Sequence, residues 1–234
     1  MPSQENNKIS TIIAAGGMGN RLGGDTPKAF IQLGGKPLFL HSLEVFDRHP
    51  AVSEIILVVP DDSVDKAKNI IDTLTTSKNV TVTPGGVERW QSVKNGVEAT
   101  DSSTEWIMTH DAARPFVTKE VIDSLLEKRS TYKCAITATP VEDTIRRFEN
   151  DRCIATIDRS LLIRVGTPQL FHRQSLLDAF VHAETITPPP TDEAMLMEIS
   201  GIDVGFAWGD PLNFKITTQS DLDMAEATLL QRNK

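Results

Sequence analysis

A chain of 234 residues, 39% hydrophobic and 24% charged, has the composition of a globular protein with enough apolar material for one sizeable core. Its net charge of −8 at pH 7 removes any general electrostatic drive toward nucleic acid or an anionic membrane, so a phosphate site has to be assembled locally from a few cations. Cys134 and Cys153 stand without a CxxC pair or a histidine cluster, which gives neither a disulfide framework nor a zinc pattern and fits a reducing cytoplasm. The polar start, residues 1–8, reads as a flexible tail rather than a signal peptide, and no run approaches the roughly 18 apolar residues of a membrane helix. Residues 9–234 are expected to form one domain.

Ser10 to Ala15 is a short β-branched run that stops at Gly16, Gly17 and Gly19, as a buried strand feeding a loop would. The loop, Ala14-Ala15-Gly16-Gly17-Met18-Gly19-Asn20-Arg21-Leu22 and on to Pro27-Lys28, combines glycines with two cations. Glycines let backbone N–H groups approach a phosphate, and Arg21 and Lys28 can neutralise charge at a phosphorus under attack, so the loop is a candidate triphosphate cradle. Taken alone it could equally be a strand-to-helix turn with two solvated cations. A dinucleotide fingerprint starting at Gly17 would need glycine where Leu22 stands, and no GxxxxGK[ST] occurs, so neither a dehydrogenase nor a P-loop NTPase is favoured.

Helical spacing follows at Leu38 to Arg48 and Val64 to Leu74, with a strand-like run at Glu54 to Val59 between them. Val80 to Thr83 reads as a strand running into Gly85-Gly86, and a helix over Arg89 to Ala99 then carries Arg89 and Ser92 near its positive end, where ribose or phosphate oxygens are favoured. Trp106 to His110 is the next strand and delivers Asp111-Ala112-Ala113-Arg114-Pro115. A carboxylate where an apolar strand meets a crevice suits Mg²⁺, which takes one or two carboxylates plus substrate phosphates, so Asp111 is the candidate metal ligand. A local Asp111–Arg114 ion pair is the simpler alternative, and His110 reads as a packed, hydrogen-bonded side chain rather than an acid or base.

A helix over Lys119 to Arg129 and a strand over Ala135 to Thr139 precede a break in the rhythm. Val141 to Leu162 alternates polar and apolar residues around a polar turn at Glu149 to Arg152, the pattern of a hairpin arm. An isolated hairpin is marginal in water, and a second copy of the chain is the simplest surface for it to pack on, which makes a homodimer the expectation. A helix over Ser175 to Glu184, a strand over Val204 to Trp208 and a helix over Ser220 to Leu230 complete the chain. Alternation of strands and helices predicts an α/β fold, a mostly parallel sheet covered on both faces with its ligand crevice at the carboxyl ends of the strands. Arg159 with Thr167-Pro168-Gln169, Thr191-Asp192-Glu193 and Asn213-Phe214-Lys215 each pair a hydroxyl or amide with a charge, as binding of a phosphorylated polyol requires. Asp192 and Glu193 read most simply as acidic residues opening a helix, and Met195 and Met197 as filler.

In order, AAGGMGNRLGGDTPKAF, GGVERWQSV, HDAARPFV, PVEDTI, IDRSLL with TPQLF, TDEA and NFKITTQSDL resemble the IspD-type cytidylyltransferases of the non-mevalonate isoprenoid pathway, from about Ile9 to the last helix. The resemblance implies a Rossmann-like three-layer nucleotidyltransferase fold and transfer of a cytidylyl group from CTP to 2-C-methyl-D-erythritol 4-phosphate. It implies that Ala14, Ala15, Gly16, Gly17 and Gly19 shape the CTP loop with Arg21 and Lys28 on the triphosphate, and that Gly85, Gly86, Arg89 and Ser92 surround cytosine and ribose. Asp111 would hold Mg²⁺ with Ala112 beside the ribose. Arg159 on the arm would reach across a dimer to the acceptor phosphate, and Arg114, Thr167, Thr191 and Lys215 would border the acceptor. Ala29, where typical members carry glutamine, and the stretch Arg164-Val165-Gly166 depart from the family pattern. Ribitol 5-phosphate cytidylyltransferases share these loops, but DAARP and PVEDTI with IDRSLL lean toward methylerythritol. Against a non-catalytic nucleotide-binding module stands the complete charge set of Arg21, Lys28, Asp111, Arg159 and Lys215.

Overall fold

Along the first strand, β1 (Ile9–Ala14), Ile9 and Ile13 turn to one side and Ile12 to the other, and all three are fully buried. That is the requirement for a strand sheathed on both faces, and each such side chain contributes roughly 1.5–3 kcal/mol by leaving water. The computed structural model describes residues 8–17 and 27–232. In it β1 is followed by a short hairpin of β2 (Gln32–Leu33) and β3 (Lys36–Pro37), then by α1 (Leu38–Arg48), β4 (Val52–Val59), α2 (Val64–Ile71), β5 (Asn79–Pro84), α3 (Arg89–Glu98), β6 (Trp106–Asp111), α4 (Lys119–Glu127) and β7 (Cys134–Pro140). The arm strands β8 (Ile145–Glu149) and β9 (Arg152–Ile157) come next, before β10 (Ile163–His172), α5 (Arg173–Ala179), α6 (Glu193–Ile199), β11 (Val204–Trp208) and α7 (Gln219–Arg232).

The central sheet has seven strands in the order β11-β7-β10-β6-β1-β4-β5. Only β10 runs against the others, pairing antiparallel with β6 and β7, while the remaining pairs are parallel. One face is covered by α1, α2 and α4 through Phe39, Leu43, Phe46, Ala67, Ile122 and Leu125. The other is covered by α3, α5 and α6 through Val93, Val97, Leu176, Leu196 and Met197. The expected α/β architecture with a mostly parallel sheet is therefore what the chain adopts.

Helix α1 matches its expected bounds because both ends are set chemically. Pro37 opens it, and Pro50 drives the preceding His49 out of the helical region, to φ −77° and ψ 126°. The expected helix over Ser175 to Glu184 is different: the α-helix is Arg173–Ala179, and Phe180–Thr185 tightens into a 3₁₀ turn that seats Phe180 and Ala183 in the core. The arm forms a two-stranded sheet of its own, turning at Asn150, whose φ of 51° is one that asparagine tolerates. Helix α7 lies over the small hairpin, packing around Leu33, Leu38, Ile216 and Ala225. The Ile216 N–H donates to the Ala113 carbonyl at 2.9 Å, and this places the neighbouring Lys215 beside the end of β6.

Candidate functional site

The carboxyl ends of β1 and β6, the start of α3 and the segment before α7 enclose a cavity of about 370 Å³. Its walls include Ala14, Ala15, Gly16, Gly17, Lys28, Gly86, Arg89, Ser92, Asp111, Ala112 and Lys215, which the sequence had singled out from widely separated segments. Gly19 and Arg21 lie outside the described residues. The Lys28 N–H donates to the Gly17 carbonyl at 3.0 Å, drawing the two ends of the glycine loop together at the cavity edge.

Asp111 is the centre of the charge arrangement. The Lys215 ammonium is 2.8 Å from its Oδ2, the Arg89 guanidinium 3.3 Å from its Oδ1, and Arg114 Nε 3.6 Å from Oδ2. Burial alone would raise its pKa, but Arg89, Lys215 and Arg114 outweigh that effect and hold the carboxyl well below the usual carboxylate range. Arg89 reaches further, donating from NH1 to Oε1 of Glu193, which is completely buried at the start of α6. Burial pushes the Glu193 carboxyl up, with Arg89 pulling the other way. The site thus gathers Lys28, Arg89, Arg114 and Lys215 against Asp111, Glu193 and Glu88, a local excess of positive charge in an acidic chain.

The backbone of Asp111 is held by a second chain of hydrogen bonds. Its N–H donates to Thr167 Oγ1 at 3.1 Å, Thr167 lies 3.2 Å from His110 Nδ1, and His110 Nε2 is 2.9 Å from the Arg114 carbonyl. A carbonyl only accepts, so Nε2 carries the proton and Nδ1 takes the Thr167 hydroxyl hydrogen; the imidazole is neutral. Burial pushes its pKa down to about 4. His110 is therefore a packed, satisfied side chain, as its sequence context suggested.

Gly85 lies just behind the cavity, and a Cβ there would come 2.7 Å from Ser92 Oγ, the atom that accepts the Gly86 N–H at 3.0 Å. A second cavity of about 230 Å³ adjoins the first, with Lys215 in the walls of both. Arg114, Thr167, Arg164, Asp210 and Asn213 also line it. Two of the singled-out residues stand apart. Thr191 is exposed and is not among the residues lining either cavity, and Arg159 donates to the Glu142 carbonyl at the base of the arm, in a shallow depression with Leu161, Ile163, Phe206 and Trp208.

Glu193 was legible in sequence only as a helix-opening acid. The available signal was its spacing: Leu196 and Met197 follow at three and four residues and both are buried, so Glu193 shares the apolar face of α6. Asn213 is the other residue whose part is structural. Its side-chain amide donates to the Thr167 carbonyl at 2.9 Å and its backbone carbonyl accepts from Arg114 at 3.2 Å, so it ties together three residues in the wall of the smaller cavity.

A doubly covered, mostly parallel sheet with a cationic cavity at its carboxyl ends defines a Rossmann-like α/β protein whose site suits a polyanion of nucleotide size. The family model described as 2-C-methyl-D-erythritol 4-phosphate cytidylyltransferase matches residues 9–231. The protein of that name from Alkaliphilus metalliredigens is 39% identical over 227 residues, covering 96% of this chain and 94% of its own length. The one from Bacillus licheniformis is 38% identical over 218 residues, covering 93% and 94%. Among solved structures, 4-diphosphocytidyl-2C-methyl-D-erythritol synthase from Anaerococcus prevotii superposes with a TM-score of 0.86 at 29% identity, with 97% of each chain covered. The chain belongs to the 2-C-methyl-D-erythritol 4-phosphate cytidylyltransferase family, a family of nucleotidyltransferase enzymes.

Proposed function

We propose that the chain transfers the cytidylyl group of CTP to 2-C-methyl-D-erythritol 4-phosphate, giving 4-diphosphocytidyl-2-C-methyl-D-erythritol and pyrophosphate on the non-mevalonate route to isoprenoid precursors. The observation that carries this reading is the convergence of Lys28, Arg89, Asp111 and Lys215 on one cavity at the ends of β1 and β6, in a chain of this family. The acceptor's phosphate oxygen attacks the α-phosphorus of CTP in line, forming one P–O bond while the bond to the β-phosphate breaks. Lys28 and Lys215, with Arg21 beyond the described residues, supply positive charge where it accumulates in the transition state. Ala14, Ala15, Gly16, Gly17 and Gly19 frame the triphosphate, while Gly85, Gly86, Ser92 and Ala112 border cytosine and ribose, and Arg89 steadies the site from the helix start. Arg114, Thr167, Thr191, Lys215 and, from a second subunit, Arg159 serve the acceptor; the smaller cavity beside Lys215 supports that assignment. An acceptor that is already a phosphate dianion needs no general base, which agrees with the neutral His110.

Asp111, ionised and facing the cavity, has the chemistry of a magnesium ligand in company with phosphate oxygens. The ion's contribution when bound is charge neutralisation on the triphosphate and the leaving pyrophosphate. A homodimer through the arm is supported by the exposed apolar side chains Phe148, Ile154, Leu161 and Val165 on and beside a hairpin that, among the described residues, pairs only with itself. One functional domain is supported by a single main sheet running from Ile9 to Trp208, and a cytoplasmic location by the free cysteines Cys134 and Cys153. No helix among the described residues is long and apolar enough to cross a membrane.

The test is a screen of CTP, ATP, GTP and UTP against 2-C-methyl-D-erythritol 4-phosphate and ribitol 5-phosphate, read as pyrophosphate release. Fastest release with CTP and the methylerythritol substrate is expected; faster release with ribitol 5-phosphate overturns the acceptor assignment.

A further inference from the structure

Arg89 spans two carboxylates. NH2 is 3.3 Å from Asp111 Oδ1, and NH1 donates to Glu193 Oε1. With Lys215 on Oδ2 of Asp111, both oxygens of the proposed metal ligand are engaged by the protein's own cations. A divalent ion with a triphosphate needs at least one of those oxygens back. Glu193 offers the means: its second oxygen, Oε2, is fully buried and has no hydrogen-bond partner among the described residues. An unpaired buried carboxylate oxygen costs free energy, and a guanidinium matches a carboxylate through two parallel N–H···O bonds.

We infer that Glu193 is a positioning residue whose free oxygen receives the NH2 group of Arg89 when nucleotide and divalent ion arrive, uncovering Asp111 Oδ1. This rests on the nucleotide reading of the cavity. Arg89 lies on Asp111 before the nucleotide is bound and pairs side-on with Glu193 afterwards, so the carboxylate of Asp111 never stands buried without a positive partner. Glu193 touches no reacting atom; it acts through Arg89. Its helix is fixed for the task, since Asp192 caps α6 by accepting the Met195 N–H at 3.0 Å and also accepts from Gln169 of β10 at 2.9 Å.

The experiment is calorimetric titration of CTP into the full chain over a series of Mg²⁺ concentrations, without acceptor, so that no turnover enters the reading. In Glu193→Gln the one amide oxygen keeps NH1 of Arg89 while the new NH2 group cannot accept its NH2, so Arg89 stays on Asp111 and the Mg²⁺ concentration for half-maximal CTP binding rises by up to roughly 10-fold, the low end of what losing a hydrogen-bond partner of a metal ligand costs. Glu193→Asp keeps two acceptor oxygens and stays nearer to wild type, although it leaves the larger packing defect. Arg89→Gln moves the other way: with no guanidinium on Oδ1, half-maximal binding needs less Mg²⁺ than in wild type, and this variant carries the test if Glu193→Gln does not fold. A Glu193→Gln curve that overlays wild type, or a higher Mg²⁺ requirement in Arg89→Gln, overturns the hand-over of Arg89 alone. A wild-type chain that binds no CTP at any Mg²⁺ concentration overturns the nucleotide reading along with it.

Discussion

Thr167 holds Asp111 by the backbone rather than by its carboxylate: the Asp111 N–H donates to Thr167 Oγ1 at 3.1 Å, leaving the hydroxyl hydrogen for His110. The side chain is 4% exposed, so no water replaces these bonds when they are broken. Thr167→Val keeps the shape and removes both, at a cost of about 1–3 kcal/mol for the stranded buried groups. Urea denaturation should show that loss, with Thr167→Ser close to wild type; equal midpoints for the valine and wild-type proteins would mean the hydroxyl is not holding Asp111.

Lys28 lines the cavity at the end of the glycine loop. If its charge matters most where negative charge grows on the α-phosphorus, Lys28→Ala lowers kcat by about 10²- to 10³-fold. The dissociation constant for CTP should change less than about tenfold. Pre-steady-state turnover and direct binding separate the two, and parallel losses would assign Lys28 to ground-state binding.

Gly85 leaves room for Ser92. Gly85→Ala puts a methyl group 2.7 Å from Ser92 Oγ, so the hydroxyl that accepts the Gly86 N–H must move, costing roughly 1–3 kcal/mol. Half-saturation for CTP should rise in the single variant and partly recover in Gly85→Ala with Ser92→Ala, which takes away the crowded oxygen. No recovery in the double variant would locate the strain elsewhere.

His49 ties the end of α1 to α4. Its Nδ1 accepts the Ala51 N–H at 3.2 Å, so Nε2 carries the proton toward Asp123 Oδ1 at 3.1 Å. Burial lowers its pKa below 6.5, with Asp123 opposing. A histidine depressed in the folded state means that the unfolded chain takes up the proton first as pH falls, so stability drops as pH is lowered through 6.5 toward the folded value. Denaturation at stepped pH from 8 to 5 should show that slope, shallower in His49→Gln; an unchanged slope would exclude His49 as its source.

Phe148 projects from the arm with 73% of its surface exposed. If the arm packs on a second subunit, Phe148→Asp converts a dimer to a monomer in sedimentation and lowers activity by withdrawing the partner's Arg159. A wild-type monomer at micromolar concentration with full activity would remove the cross-subunit role of Arg159.

Much of the sheet was legible because its strands are sheathed on both faces and so read as continuous apolar runs, as Glu54 to Val59 does. Strand β10 was not, for its crevice half, Arg164-Val165-Gly166-Thr167-Pro168, carries a glycine and a proline and is exposed on the arm side. At the site, residues that touch solvent through the cavity announced themselves by glycine and charge. The Arg89–Glu193 pair did not, because its members are 104 residues apart and a glutamate at a helix start ordinarily faces water.

Because β10 alone runs backwards, the chain leaves β7 and re-enters the sheet at the same rim, and the whole arm is a detour between two adjacent hydrogen-bonded neighbours. Such a loop-out can lengthen, shorten or change its outer surface without shifting the pairing of any strand. Whatever the arm touches is thus free to diverge among relatives while the machinery at the ends of β1 and β6 stays in register.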